Sequence, residues 1–460
     1  MKVFKIVLCA VFFAVPAYAQ CVIGWSNDAA DLPIARIRGG GGVYDGQLYV
    51  FAGYDNNTVS YLADTQIYDP AADSWTAGAA APVATSDSGY TVAPEGYGYI
   101  VGGGTESITF TNAVHQYDIE ADSWTTLSYN YPLPVWNPAC AAPGDGYVYC
   151  FGGTTDSVYG RIFAAKYEIG SDDPWTAIAD LPSGKMFGEA IAMDGMIYIV
   201  GGWSAADTAY AYDPDSDSYT TLDTLTTGRQ RPSIVAAGGL LWVAGGGNKW
   251  TPIGSAEYFD GTSWTDAGAS MDVPVLGGIA GYLHGYGMFL AGGRNSAYSD
   301  TTHNQLLQVC VPAFDSIAPA EGQPGDAVTI AGAAFAADVD VVFFDATAKA
   351  EYPLENLTVV DAETITGDVP AGLVVGVYGL RFTGALGQLE EVENVFEVPI
   401  PGDDDTADDD TIDDDTADDD TIDDDTADDD TADDDTADDD TADDDTIDDD
   451  TMDDDTADDD

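Results

Sequence analysis

Positive charge is scarce in this chain. Against 82 Asp and Glu it carries 13 Lys and Arg, giving a formal net charge of −69 and a pI near 4.1. A surface of that sign repels phosphate backbones and anionic lipid, which excludes nucleic acid and anionic membranes as partners. Histidine is also sparse, with His115, His284 and His303 the complete set. Without HxxxH or CxxC spacing, no structural or catalytic metal site is expected, and no GxSxG element supplies a nucleophile elbow. Beyond Val15 there is no run of 18 apolar residues, so no transmembrane helix is expected. The cysteines are five: Cys9, Cys21, Cys140, Cys150 and Cys310. Lys2 and Lys5, the apolar stretch from Ile6 to Val15, and Ala17-Tyr18-Ala19 follow the order of a secretory signal. Residues 1–19, and Cys9 with them, are therefore expected to be removed. Gln20 stands where a lipoprotein needs a small residue, so no lipid anchor is expected at Cys21.

What the chain has in abundance is repetition. An alternating apolar run meets a glycine pair six times: Ala52-Gly53, Gly102-Gly103, Gly152-Gly153, Gly201-Gly202, Gly245-Gly246 and Gly292-Gly293. A period near fifty residues indicates a propeller or solenoid. The runs, such as Leu48-Tyr49-Val50-Phe51 and Ile197-Tyr198-Ile199-Val200, have the two-residue period of a strand. Each pair is followed by a hairpin like Tyr68-Asp69-Pro70-Ala71-Ala72-Asp73-Ser74-Trp75, with aromatic anchors at both ends and turn residues between. Its echoes run from Tyr117 to Trp124, Tyr167 to Trp175, Tyr212 to Tyr219 and Tyr258 to Trp264.

Strand, double glycine, Tyr and Trp in that order resemble the kelch motif, in which each repeat is a four-stranded blade. The resemblance implies an all-β fold, a six-bladed β-propeller over residues 20–312. Ala52 and Tyr219 depart from the motif, and the sixth unit lacks the Tyr and Trp. The run Cys21-Val22-Ile23-Gly24-Trp25 looks like the missing fourth strand, so the N-terminal segment is expected to complete the last blade and close the ring. Four cysteines remain after signal removal, which allows three pairings. Cys140 and Cys150 flank the turn Pro143-Gly144-Asp145-Gly146, while Cys21 and Cys310 fall on the two strands of the seam. In an oxidising compartment, Cys140–Cys150 and Cys21–Cys310 disulfides are expected.

The period ends at Cys310. Residues 313–400 show short alternating strands separated by glycines, the pattern of a small immunoglobulin-like β-sandwich. The run from Ser316-Ile317-Ala318-Pro319 through Gly322, Gly325, Gly332 and Phe335 resembles the IPT/TIG domain, which implies a spacer or interaction module. Residues 401–460 are built from twelve Asp-Asp-Asp triplets spaced by Thr and Ala, Ile or Met. A five-residue period of like charge fits neither helix nor strand, so a disordered acidic tail is expected. The tail has no turn glycine to shape a calcium loop, and diffuse Ca²⁺ association is the only ion binding its composition supports. No other cofactor is expected.

In a propeller the loops before strand one and after strand two share a face. Arg36, Arg38, Lys185, Arg229, Arg231, Lys249 and Arg294 fall there, with Trp136, Trp203 and Trp250. Arginine clamps bind carboxylates and aromatic faces cover sugar rings, so these residues are candidates for binding a glycan or an extracellular protein. In kelch repeats, basic residues before strand one also serve as scaffold between blades. The expectation is a monomeric recognition protein, secreted, periplasmic or at a cell surface. The alternative is a sugar-active enzyme similar to the six-bladed N-acetylneuraminate epimerases, with Arg229 or Arg294 as catalytic cation and Glu189 as base.

Overall fold

A computed structural model describes residues 23–399 except 107–108, 204–205, 285, 310, 334, 336–338, 346–349, 362 and 385–388. The segment expected to be a signal, Cys21, Cys310 and the Asp-rich residues 401–460 lie outside the described residues. Among the described residues every regular element is a strand. Six four-stranded antiparallel sheets follow in order, and each begins with an inner strand: Gly40–Tyr44, Gly89–Ala93, Ala139–Ala141, Gly188–Met193, Ser233–Ala237 and Ile279–Leu283. They are the blades of a kelch β-propeller.

The repeated aromatics explain how neighbouring blades hold together. In blade one Tyr68 lies opposite Trp75, and Tyr68 stacks on Phe289 of blade six at 4.4 Å between ring centroids. Tyr117 and Trp124 of blade two pack on Phe51 of blade one at the equivalent place, but edge-on. The Trp75 and Trp124 indoles donate to the carbonyls of Ala30 and Ala79, each at 2.9 Å. Tyr219 does the tryptophan's work in blade four, where its hydroxyl donates to Ala179 O at 2.9 Å. In blade five the partner of Trp264 is Phe259 rather than Tyr258, which faces Trp242 instead.

A turn aspartate completes this lock. Asp73, Asp122 and Asp217 all have positive φ. Each accepts a hydrogen bond from the blade tyrosine, Tyr68, Tyr117 or Tyr212, and another from a linker amide, Ala30, Ala79 or Ala179. The backbone donors hold the Asp73 and Asp122 carboxyls below their ordinary range.

The sixth blade is completed from the other end of the chain, as the orphan strand implied. Gly24–Ser26 pairs antiparallel with Asn304–Gln308, Trp25 opposite Leu307, so blade six gains the short outer strand that each other blade supplies from its own repeat. Cys140 and Cys150 lie directly opposite each other in blade three and are disulfide-bonded, with 4.2 Å between their Cα atoms. From Ala313 the chain builds two further four-stranded sheets around a core that includes Ile330, Phe343, Leu380 and Phe382. The eight strands of this sandwich run from Ala313–Ala318 to Leu389–Val398, with Ala350–Pro353 and Glu355–Asp361 each at an edge of its sheet.

A chain shortened to begin at residue 28 exposes the edge of Asn304–Gln308 and loses the packing of Ile23 and Trp25. It is expected to be less stable by on the order of 2–3 kcal/mol and to associate through the free edge. Calorimetry and light scattering against the intact chain measure both effects; an unchanged melting temperature with a monomeric mass contradicts closure.

Candidate functional site at the channel mouth

The six inner strands converge on the propeller axis, where there is little room. A Cβ on Gly40 would lie 2.4 Å from the Tyr90 ring, and one on Gly89 would meet Cys140 Sγ, so these positions require glycine. What the strands enclose is a central cavity of about 600 Å³ lined by all six blades.

One mouth of this cavity is built by a single backbone device used six times. Arg38, Asp87, Asn137, Phe187, Arg231 and Gly277, just ahead of the six inner strands, all have φ between 49° and 66°. Left-handed backbone is unfavourable for the five residues with side chains and persists only where surrounding contacts impose it. Here the contacts run around the mouth. The amide of Asp87 donates to Arg38 O (2.9 Å), Asn137 to Asp87 O (2.6 Å), Arg231 to Phe187 O (2.7 Å) and Gly277 to Arg231 O (3.2 Å).

The side chains of this ring form a charged cluster. Asp87 is fully buried and bonds both Arg231 and Asn137 Nδ2, the latter at 2.9 Å, while Arg38 Nη1 lies 3.4 Å away. Arg231 is 4% exposed, and its guanidinium sits 4.2 Å above the Phe187 ring. Burial lowers the Arg231 pKa and Asp87 opposes that shift. Arg38 Nε and Arg231 Nε are buried without a hydrogen-bond partner, as is Trp136 Nε1. Glu189, two residues beyond Phe187 in the inner strand of blade four, lines the same cavity. Burial pushes its carboxyl up to about 7, with the attraction of Arg231 acting against the rise.

An aromatic wall stands beside the cluster. Phe187 contacts Trp136, Trp203 and Trp250 at 6.2, 6.1 and 5.9 Å, and Phe110 stacks on Trp136 at 5.4 Å. The opposite rim is polar and pinned: Asp300 accepts from the amide and side chain of Asn56 and from Arg294 Nε at 3.1 Å.

The candidate residues therefore separate into two groups. Arg38, Trp136, Trp203, Arg231, Trp250 and Glu189 are at the mouth or its wall. Arg36, Lys185 and Arg229 are not on the binding face; they are buried behind it, each donating to the carbonyl that opens a glycine pair, Ala52 O, Gly201 O and Gly245 O. Arg229 is also held by Glu257 at 2.9 Å and by Ser255, while Lys185 reaches Thr208 and is lowered by burial to about 8. Groups so fully bonded have no donor to offer a ligand. Arg294 is engaged with Asp300 on the rim, which leaves Arg231 as the cation beside Glu189. Asp87 and Asn137 were not singled out from sequence; their signal is positional, as the residues equivalent to Arg38 and Arg231 in repeats two and three. Among the described residues, no group of three His, Cys, Asp or Glu is placed to hold a metal.

Comparison with known proteins agrees with this architecture. The Kelch motif matches residues 35–80 and 188–226. The chain is 28% identical over 212 residues to Kelch-like protein terF of Aspergillus terreus, covering 42% of this chain and 45% of that protein. It is 29% identical over 175 residues to Kelch-like protein 35 of Mus musculus, covering 37% and 28% respectively. The chain thus spans under half the length of these curated relatives. The solved structure of YjhT superimposes with a TM-score of 0.51 at 15% identity, covering 60% of this chain and 95% of YjhT, a likeness of fold. Kelch repeats of this kind point to a binding role. No helix among the described residues is long and apolar enough to cross a membrane.

Removing Asp87 leaves a buried Arg231 without its counter-charge, so Asp87→Ala is expected to lower unfolding free energy by about 3–5 kcal/mol. Arg161→Ala, which removes a largely exposed pair with Asp156, is expected to lower it by less than about 1 kcal/mol. Denaturant titration of the two variants measures the contrast. Glu189 predicts a pH effect. The folded state holds its proton above the ordinary value of 4.5, so the associated stability is present below that pH and lost as pH rises through about 7. Glu189→Gln should flatten this part of the stability profile; an identical profile in the variant contradicts the assignment.

Proposed function

We propose that this chain is an exported recognition protein that binds a carbohydrate at the channel mouth. The observation that carries the reading is the placement of two arginines with unpartnered Nε–H donors, Arg38 and Arg231, on one cavity with Asn137 and Glu189. Sugar hydroxyls and carboxylates accept from such donors, and the adjoining aromatic wall suits the C–H faces of a sugar ring. Charge narrows the ligand. Arg38 and Arg231 outweigh Asp87 by one unit, and Glu189 is neutral below about pH 7. A neutral sugar or one with a single carboxylate fits that balance. The IPT/TIG-like sandwich then serves as a spacer, and the tail as a solvated acidic arm with diffuse Ca²⁺ association. The propeller acts as a monomer in a secreted, periplasmic or cell-surface setting.

A glycan array probed with the parent protein and with Arg231→Met and Glu189→Gln tests this. Binding by the parent, weakened at least tenfold in Arg231→Met, is expected; a parent that binds no glycan sends the assignment to a protein ligand. Export carries its own check, because peptide mapping of the oxidised mature protein is expected to find Cys21 linked to Cys310. A free Cys21 thiol contradicts it.

Glu189 favours a second reading, a sugar isomerase resembling the N-acetylneuraminate epimerases. A carboxyl titrating near neutrality beside an arginine is matched to proton transfer, and the cation is Arg231 in place of Arg229 or Arg294. Anomer exchange of N-acetylneuraminic acid followed by NMR decides it: acceleration by catalytic amounts of protein, lost in Glu189→Gln, supports the enzyme, and an unchanged exchange rate removes it.

A further inference from the structure

The mouth is not symmetric, and its asymmetry has a chemical sense. On the side of blades six and one, Asp300 ties Asn56, Asn57 and Arg294 together, so the two loops close that rim with satisfied polar groups. Across the axis, blades three to five present aromatic rings in contact. Trp203 and Trp250 lie 5.9 Å apart, and each is about as far from Phe187, the ring that carries Arg231. The aromatic surface therefore starts at the charged cluster and extends outward by one further ring.

These two tryptophans are not core residues. Both are partly buried, as are the inter-blade Trp75 and Trp124, but their ring contacts are with each other and with Phe187 at the mouth rather than with a blade's aromatic anchors. Their placement is nevertheless fixed. Trp203 directly follows the glycine pair of blade four, and its amide donates to Met186 O at 2.7 Å. Trp250 is at the tip of a small ladder in which Gly247 and Asn248 pair with Pro252 and Thr251. Lys249 and Trp250 there have φ of 47° and 73°. Lys249 and Trp250 thus form the two-residue turn of a tight hairpin, which holds the Trp250 ring against Trp203 and Phe187, and large rings left partly exposed beside a charged cluster suit a ligand that covers them.

We propose that Trp203 and Trp250 form a second subsite, stacking the penultimate ring of an oligosaccharide whose terminal ring enters the cavity beside Arg231. The inference rests on the reading of the mouth as a carbohydrate site and goes beyond it by setting ligand length and direction. The chain of sugars leaves over blades four and five, because the Asp300 contacts close the rim opposite. A cationic ligand is disfavoured on the same rings, since Arg231 and Arg38 already supply positive charge next to them.

Calorimetric titration of the full mature chain with glucuronic acid, N-acetylneuraminic acid and disaccharides that present each of them at the terminal position tests the proposal. For one of the two sugars, the disaccharide is expected to bind roughly tenfold more tightly than the monosaccharide, about what an aromatic stacking contact supplies. Trp203→Ala and Trp250→Ala are expected to erase that difference by weakening disaccharide binding far more than monosaccharide binding, while Trp203→Phe and Trp250→Phe retain most of it. Equal affinities for monosaccharide and disaccharide in the parent overturn the second subsite but leave the carbohydrate reading standing, as does a loss in the alanine variants that affects both ligands alike. Failure of every saccharide to bind overturns both.

Discussion

The structure depends on the chain turning left-handed at one position in every blade. Six inner strands cannot meet around an axis unless each is led inward at the same height, and the left-handed residues from Arg38 to Gly277 do this. Their amides and carbonyls bond from blade to blade, so the turn that costs conformational energy locally is held by its neighbours. A side chain at such a turn is brought to the mouth by backbone geometry alone. That is why two arginines, an aspartate, an asparagine and a phenylalanine, far apart in sequence, share one small space.

Charge is distributed with the same logic. The chain is overwhelmingly acidic, yet five of its propeller cations sit in two layers. Arg36, Lys185 and Arg229 form the outer one, each neutralised or fully hydrogen-bonded against the glycine-pair carbonyls. Arg38 and Arg231 form the inner one, two residues further along the chain in their repeats, and keep Nε–H groups unpartnered. A shift of two residues thus separates a cation that holds blades together from one that faces the cavity.

The blades were legible because their signals are local. Tyr, Trp and turn aspartate recur at fixed spacing and pack where that spacing puts them, and the orphan strand at Gly24–Ser26 could be matched to an incomplete sixth repeat. The inner strand of blade one was harder to read: Gly40-Gly41-Gly42 has no strand propensity, and Gly40 and Gly42 answer to blade two through Tyr90 and Val92. In the sandwich, Glu355–Asp361 carries only Leu357, Val359 and Val360 as apolar residues, a weak strand signal in sequence. The site was half visible. Charge type and loop position nominated seven cations together with the tryptophans, but hydrogen-bond partnering, which separates the fully bonded Arg229 from Arg231, is a property of the closed ring. Asp87 and Asn137 carry no motif, and only the equivalence of their backbone positions links them to the arginines.

Native-state hydrogen exchange at the amides of Asp87, Asn137, Arg231 and Gly277 tests the blade-to-blade ring most directly. All four are expected to exchange only with global unfolding, as slowly as amides of the inner strands. Exchange at the rate of the exposed loops would show that no such ring is formed and that the mouth is not held in the geometry described.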